Sequence, residues 1–279
     1  MTKISKISYE IETPDINKRI VLITDLHYYC AKDIKKLNKV LEVLKDDTFD
    51  YICISGDFID VGMIKDMDVF LDWLKKLATL NKVIMSIGGH DIVRDKKVKQ
   101  YYYNEALYSQ IKKIDNVYLL DNDVYVDDNI RFIGLTLPLD FYYKYKENLN
   151  YFKRFVNNTF DTYVDKYNIL LCHTPVPLTR LNNYKDIKLL NNIQLVLSGH
   201  THAGIVPLCL RKSFKGRGIF SPSDKSKLFP KNSYGLIMNG KTNIVISSGI
   251  TKASHSNPIP FVDCLFDKEI TYINLKKKS

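Results

Sequence analysis

Five short apolar runs in this 279-residue chain end on aspartate, histidine or glycine. IVLIT (20–24) is followed by Asp25 and His27, YICIS (51–55) by Gly56, Asp57 and Asp60, and VIMSI (83–87) by Gly88, Gly89, His90 and Asp91. ILLC (169–172) leads to His173, and LVLS (195–198) to Gly199, His200, Thr201 and His202. Five of the six histidines stand at these ends; the sixth, His255, lies in a loop and receives no role. One histidine after a strand is ordinary structure. Five at equivalent ends are hard to explain as structure alone, because buried ionisable groups need partners. Aspartate and imidazole donors without a thiolate suit borderline divalent metals such as Mn, Fe and Zn. A carboxylate between two such ends can bridge two cations. Two-metal sites, with ions about 3.5–4 Å apart, activate water as hydroxide and clamp the oxygens of an in-line displacement at phosphorus.

The elements that position these ends follow from periodicity. Ile20–Thr24, Tyr51–Ser55 and Val83–Ile87 read as strands. Ile34–Leu44 reads as a helix with apolar positions 34, 37, 40, 41 and 44. Ile64–Leu80 reads as a second helix, with Met67, Phe70, Leu71, Leu74 and Leu77 on one face. This alternation predicts a largely parallel, buried sheet, whose ligand site lies outside the carboxyl ends of its strands. Val124–Val126 and Ile130–Thr136 suggest a hairpin, and 148–160 a helix. Ile169–Cys172 and Leu195–Ser198 return as short buried strands. Tyr234–Met238, Asn243–Ser247, Phe261–Phe266 and Ile270–Leu275 make the last third mostly β. The expectation is one α/β domain over 1–279, built on two sheets.

The ordered set Asp25-x-His27, Gly56-Asp57-x-x-Asp60, Gly88-Gly89-His90-Asp91, His173 and Gly199-His200-Thr201-His202 resembles the calcineurin-like metallophosphoesterase superfamily. The match runs from residue 20 to about 205. Later stretches, Leu228-Phe229-Pro230-Lys231 and Pro258-Ile259-Pro260, resemble a bacterial branch similar to UDP-diacylglucosamine pyrophosphatases. The resemblance implies a four-layer sandwich of two packed mixed β-sheets flanked by helices. It implies two divalent metal ions, with Asp25, His27 and His202 on the first, Asp57 bridging, and His173 and His200 on the second. His90 would face the phosphoryl group and Asp91 would orient it, while Asp60 braces the Gly56-Asp57 turn. The implied activity is phosphoester hydrolysis by a metal-bound hydroxide, as a phosphodiesterase or pyrophosphatase. A phospho-ligand binding protein with a degenerate metal site, or a nuclease, are the alternatives.

Gly89 departs from the family pattern, which carries an asparagine ligand there. Three consequences stay open: a water in the vacated space, a second cation dependent on substrate phosphate, or a degenerate site. Restoring asparagine is expected to raise occupancy of the second metal. Gly88 fits a sharp turn with positive φ.

The net charge of +10 is local. Residues 211–231 hold seven Lys/Arg against one Asp, and Lys276, Lys277 and Lys278 follow near the end. This basic loop, at about 205–232, points to an anionic membrane surface or an anionic substrate more than to nucleic acid. Phe214, Phe220 and Leu228 among its cations suit a membrane interface. A phosphorylated small molecule or a lipid-linked substrate is the expected partner. Tyr101–Tyr103, Tyr142, Tyr143 and Tyr145 read as packing rather than stacking platforms. No window approaches the ~18 apolar residues of a membrane span. No secretory signal is expected in MTKISKISYEIETPD. Five cysteines without a C-x-x-C fit a reduced cytoplasm, with peripheral membrane contact possible through 211–231.

Overall fold

The computed structural model describes residues 3–60, 64–95, 100–143, 149–159, 165–175, 178–179, 190–220, 228–251 and 268–278. The expected strand at 261–266, together with His255, lies outside the described residues. Two six-stranded sheets carry the architecture. The first is built from β1 (Ile4–Thr13), β2 (Lys18–Ile23), β3 (Tyr51–Ser55), β4 (Lys82–Ser86), β7 (Val117–Leu120) and β14 (Lys268–Lys277), in the order β1-β14-β2-β3-β4-β7. The second is built from β8 (Asp123–Asp127), β9 (Ile130–Gly134), β10 (Tyr167–Leu171), β11 (Leu195–Ser198), β12 (Gly235–Asn239) and β13 (Thr242–Ile246), in the order β12-β13-β11-β10-β9-β8. Both sheets are mixed: β2-β3-β4-β7 and β13-β11-β10-β9 are parallel, while β14/β2, β12/β13 and β8/β9 are antiparallel. A separate hairpin joins β5 (Ile92–Asp95) and β6 (Gln100–Tyr103).

The apolar runs explain this arrangement. Each central strand is buried on both faces, so alternate residues enter different cores. Ile20 and Leu22 of β2 join Cys53, Ile84, Phe132, Ile169, Leu171 and Leu197 in the core between the sheets. Val21 and Ile23 point the other way, into the cluster that holds Leu37, Val40, Phe70, Trp73 and Leu74. Those residues belong to α1 (Ile34–Leu44) and α2 (Met67–Ala78), which cover the first sheet. The Trp73 indole N–H donates to the Leu37 carbonyl at 2.9 Å and locks the two helices together. Phe152 and Val156 of α5 (Leu149–Thr159) share a cluster with Ile133, Leu170 and Val196 of the second sheet. The layers therefore run helix, sheet, sheet, helix.

Three differences from the sequence expectation have local causes. Residues 64 and 65 stay outside α2, because the Lys65 N–H donates to the Tyr29 carbonyl instead. β1 is an added edge strand, whose Ile7, Tyr9, Ile11 and Thr13 lie less exposed than the intervening Ser8, Glu10 and Glu12. α3 (Glu105–Ile111) starts at Asn104, whose side chain accepts from the Leu107 N–H.

A polar clamp ties the sheets together at the edge opposite the motif ends. Asp127 of β8 accepts from Lys82 Nζ at 2.6 Å and from the Tyr51 hydroxyl at 2.8 Å. Burial alone would raise the Asp127 pKa, but Lys82 and Tyr51 hold it below the ordinary carboxylate range. A carboxylate with a depressed folded-state pKa stabilises the fold at neutral pH, and loses that contribution as the pH falls through the folded value. Asp127→Asn is expected to cost about 1 kcal/mol at pH 7, or about 2–4 °C in Tm. The gap between wild type and variant should close as acid protonates Asp127. Thermal melts at several pH values check this; a gap independent of pH would contradict it.

Candidate metal centre

The carboxyl ends of β2, β3, β4, β10 and β11 meet where the edges of the two sheets come together. The loops after β2 and β3 extend the parallel ladder past the sheet: the N–H groups of Asp25, His27 and Tyr28 donate to the carbonyls of Gly56, Asp57 and Phe58. Cross-links between the sheets fix the two halves. The Ser55 hydroxyl donates to the Leu197 carbonyl at 2.8 Å, and the His200 N–H reaches Asp25 Oδ2 at 3.2 Å. Gly56 takes φ +73°, a left-handed turn that directs Asp57 into the pocket. Gly88 has no positive φ, contrary to expectation. It is required by close approach, since a Cβ there would lie 2.3 Å from Asp57 Oδ1. Asp25, His27, Asp57, His200 and His202 all adopt positive φ. Such conformations in non-glycine residues cost about 1–3 kcal/mol each and collect at functional sites.

All six residues expected to hold metal come together. Three sets place their donor atoms within 4.8 Å of one another: Asp25, His27 and His202; His27, Asp57 and His90; Asp57, His173 and His200. Asp57 belongs to two of these sets. Asp25 Oδ1 lies 3.7 Å from His27 Nε2, 3.8 Å from His173 Nε2 and 3.6 Å from His202 Nε2. These separations are too long for hydrogen bonds. Asp25, His27, Asp57 and His173 are buried, whereas the His202 and His90 side chains are 12% and 23% exposed and mark the open rim.

The donor atoms fit a cation. Among the described residues no Lys or Arg pairs with Asp25 or Asp57, and Asp25 Oδ1 has no hydrogen bond. His173 Nδ1 faces the Ser55 carbonyl at 2.8 Å and so must carry its proton there. In the neutral ring that leaves a lone pair on Nε2, only 2.8 Å from Asp57 Oδ2. Two acceptors that close need a positive charge between them. Ionisation follows the same logic. Burial alone would raise Asp25 and Asp57, yet His202 and His173 hold Asp25 low, and His173 and His90 lower Asp57. Burial alone would depress His27 and His173, but Asp25 and Asp60 push His27 up to about 10, and Asp57 with Asp25 pushes His173 up to about 9. Without a metal the pocket gathers protons to satisfy its carboxylates. His200 goes the other way, down to about 3, because burial and the neighbouring His173 disfavour its charge.

Two role assignments exchange places. His90 Nδ1 pairs with Asp60 Oδ1 at 2.9 Å, not with Asp91. Asp91 turns inward: its carboxylate accepts from the N–H groups of Asp57 (2.8 Å), Ile59 (2.9 Å) and Gly88 (2.7 Å), and its carbonyl accepts from the Tyr108 hydroxyl. Asp91 therefore pins the loop after β3 to the end of β4, and Asp60 orients His90. Burial and the Asp57 carboxylate push Asp91 up to about 8, with the Ile59 and Gly88 amides pulling the other way. The expectation at Gly89 also changes. The direction a side chain would take from Gly89 is filled by the Tyr142 ring, so the space is not vacant. Tyr142, read from the sequence as packing, packs against the site itself. It arrives from α4 (Asp140–Tyr143), just beyond β9, a sixth strand end with no histidine following it.

Two mixed sheets that converge on paired Asp/His sets define an α/β protein with a dinuclear divalent-metal site. The pattern of calcineurin-like phosphoesterases matches residues 18–204, an interval that contains every residue of the pocket. The chain belongs to the calcineurin-like phosphoesterase family. It is 26% identical over 280 residues to a metallophosphoesterase of Helicobacter pylori described as uncharacterized, covering 99% of this chain and 65% of that protein. It is 28% identical over 240 residues to another from Campylobacter jejuni, covering 82% of this chain and 57% of the relative. The chain thus spans less than two thirds of the length of these relatives. A dimetal phosphatase from Danio rerio shares 12% identity over 83% of this chain and 87% of its own, at a TM-score of 0.39, a likeness too distant to carry an argument.

A site that needs cations should be stabilised by them. Mn²⁺ at about 100 times its Kd is expected to stabilise the fold by about 2.7 kcal/mol relative to chelated protein, a rise of about 5–10 °C in Tm. Calorimetric melts with and without chelator check this. Identical melting temperatures would contradict the fit.

Proposed function

We propose that this chain is a dinuclear-metal-dependent hydrolase of phosphoester bonds, acting as a phosphodiesterase or pyrophosphatase, and that 1–279 forms a single metallophosphoesterase domain. Asp25, His27 and His202 hold one divalent cation, His173 and His200 hold the other, and Asp57 serves both. Mn, Fe and Zn are the metals this donor set suits. The observation that supports the reading is the chain of overlapping donor sets: Asp57 shares one set with His173 and His200 and another with His27, and His27 shares a third with Asp25 and His202. When bound, the cations supply Lewis acidity to the phosphoryl oxygens and activate the attacking water.

The chain's own residues do the rest. The buried carboxylates and imidazoles fix where phosphate oxygens settle, and the sheet edges exclude water behind them. His90 stands at the rim, where substrate enters. Its Nδ1–H donates to Asp60, which sets the ring orientation and leaves Nε2 as the atom that, in the doubly protonated ring, passes its proton to the departing oxygen. Asp91 acts on backbone alone, holding Asp57 and Gly88 in register. With Mn²⁺ and bis-p-nitrophenyl phosphate, Asp57→Asn and His90→Ala are expected to lower kcat/KM by about 10²–10⁴. Asp60→Asn should lower it by about 10–100-fold and move the pH profile. Absence of turnover with Mn²⁺, Fe²⁺ and Zn²⁺ would favour a phospho-ligand binding protein. Cleavage of nucleic acid with a steep salt dependence would favour a nuclease.

One observation favours a lipid-linked or membrane-presented phosphoester. Phe220 and Leu228 pair in an antiparallel bridge, and Phe220, Leu228 and Phe229 are 46%, 58% and 58% exposed, in a sequence stretch whose described cations are Arg211, Lys212, Lys215, Arg217 and Lys231. The N–H groups of Ile219 and Phe220 both donate to the Gly204 carbonyl, two residues past His202, which supports a basic and apolar surface close to the pocket. In this reading the protein resides in the cytoplasm and touches an anionic leaflet through that surface. Vesicles containing acidic lipid should sediment the protein, and Phe220→Ser with Phe229→Ser should release it. Failure to co-sediment with acidic vesicles at low salt would overturn the membrane contact and leave a soluble phosphorylated molecule as substrate. No helix among the described residues is long and apolar enough to cross a membrane.

A further inference from the structure

We propose that Gly89 and Tyr142 form a mutually exclusive pair: the Tyr142 ring occupies the direction a side chain at 89 would take, and so keeps position 89 from adding a donor to the Asp57, His173 and His200 set. This rests on the assignment of that set to a cation. A Cβ built on Gly89 would lie 2.9 Å from Tyr142 Cγ, 3.0 Å from its Cβ and 3.3 Å from its Cδ1. Contacts that close involve the root of the tyrosine side chain, not its far end. Relief therefore requires the α4 backbone to move. That backbone is held, because the Tyr142 N–H donates to the Leu139 carbonyl.

The ring itself is fixed at both ends. Tyr142 is fully buried, and its hydroxyl accepts from the Leu137 N–H at 3.3 Å. The hydroxyl is thus committed to the backbone of the loop after β9. What Tyr142 presents to the centre is an aromatic wall. Its centroid stands 6.0 Å from the His173 ring and 5.9 Å from the His200 ring, and those two imidazoles are 5.1 Å apart. Tyr142 is accordingly a positioning residue. It buttresses both histidines of the set and closes the side from which a fourth side-chain donor at 89 would enter. The exposed rim lies on the His90 side of the set.

The test combines thermal melts with Mn²⁺ titration of the metal-free 279-residue chain. Gly89→Asn alone should lower Tm by about 5 °C or more, as an overpacked core does, and should not tighten the second Mn²⁺ equivalent. Tyr142→Phe should bind the second Mn²⁺ equivalent as wild type does, because the ring remains, while its Tm falls by a few degrees because the buried Leu137 N–H loses its acceptor. Gly89→Asn with Tyr142→Ala should melt no lower than Tyr142→Ala alone, and should bind the second equivalent at least tenfold more tightly than Tyr142→Ala. If the asparagine variants do not fold, Gly89→Ala with and without Tyr142→Ala gives the same melting comparison. Summed Tm losses in the double variant, or a stable Gly89→Asn with a tighter second equivalent, would overturn the proposal. A wild-type protein that binds no Mn²⁺ would instead overturn the metal assignment, and leaves the melting comparison intact.

Discussion

Two carboxylates, Asp25 and Asp57, sit fully enclosed without a lysine or arginine beside them among the described residues. Taking an ion out of water costs several kcal/mol unless an opposite charge meets it. The rest of the structure around the pocket is organised to meet that demand with imidazoles and divalent cations. The imidazoles come from both sheets, so the two sheet edges must abut. The turns that carry Asp25, His27, Asp57, His200 and His202 accept left-handed backbone to aim their side chains at one place. Gly88 gives up a Cβ so that the Asp57 carboxylate fits beside it. Strain and close approach concentrate here because the fold elsewhere can hold them in place.

That support comes from ordinary core physics. The central strands are apolar on both faces and are clamped between α1 and α2 on one side and α5 on the other. Their carboxyl ends are therefore fixed points. Asp91 shows how the loops are then tied down. Its two oxygens collect three backbone N–H groups from two loops, a role that demands burial and tolerates no solvent. Behind the other edge, Glu269 is buried and accepts from the Tyr234 and Thr271 hydroxyls, with Arg211 at 3.4 Å. The start of the basic stretch is thereby anchored to β14, beside Gly249, whose backbone packs against Asp25.

Much of this was legible in the chain. Parallel buried strands announce themselves as short apolar runs, and chemistry at their carboxyl ends follows the next residues in sequence. All six proposed ligands could be picked out that way. The exchange between Asp60 and Asp91 could not. Both follow an apolar run, and which one reaches His90 depends on how two loops pass each other in space. Tyr142 was hidden for a similar reason: it lies 53 positions beyond Gly89, on a short helix among other tyrosines. Periodicity describes it well as packing, and packing is what it does, but against the metal centre. β1 left a clearer signal in the alternation of Ile7, Tyr9 and Ile11.

The central claim is that buried carboxylates and imidazoles from two sheets jointly hold two cations. Anomalous diffraction from crystals grown with Mn²⁺ tests it most directly. The account predicts two manganese peaks flanking Asp57, one against Asp25, His27 and His202 and the other against His173 and His200. No anomalous peak in the pocket, or a single peak with Asp57 as a terminal ligand, would contradict it.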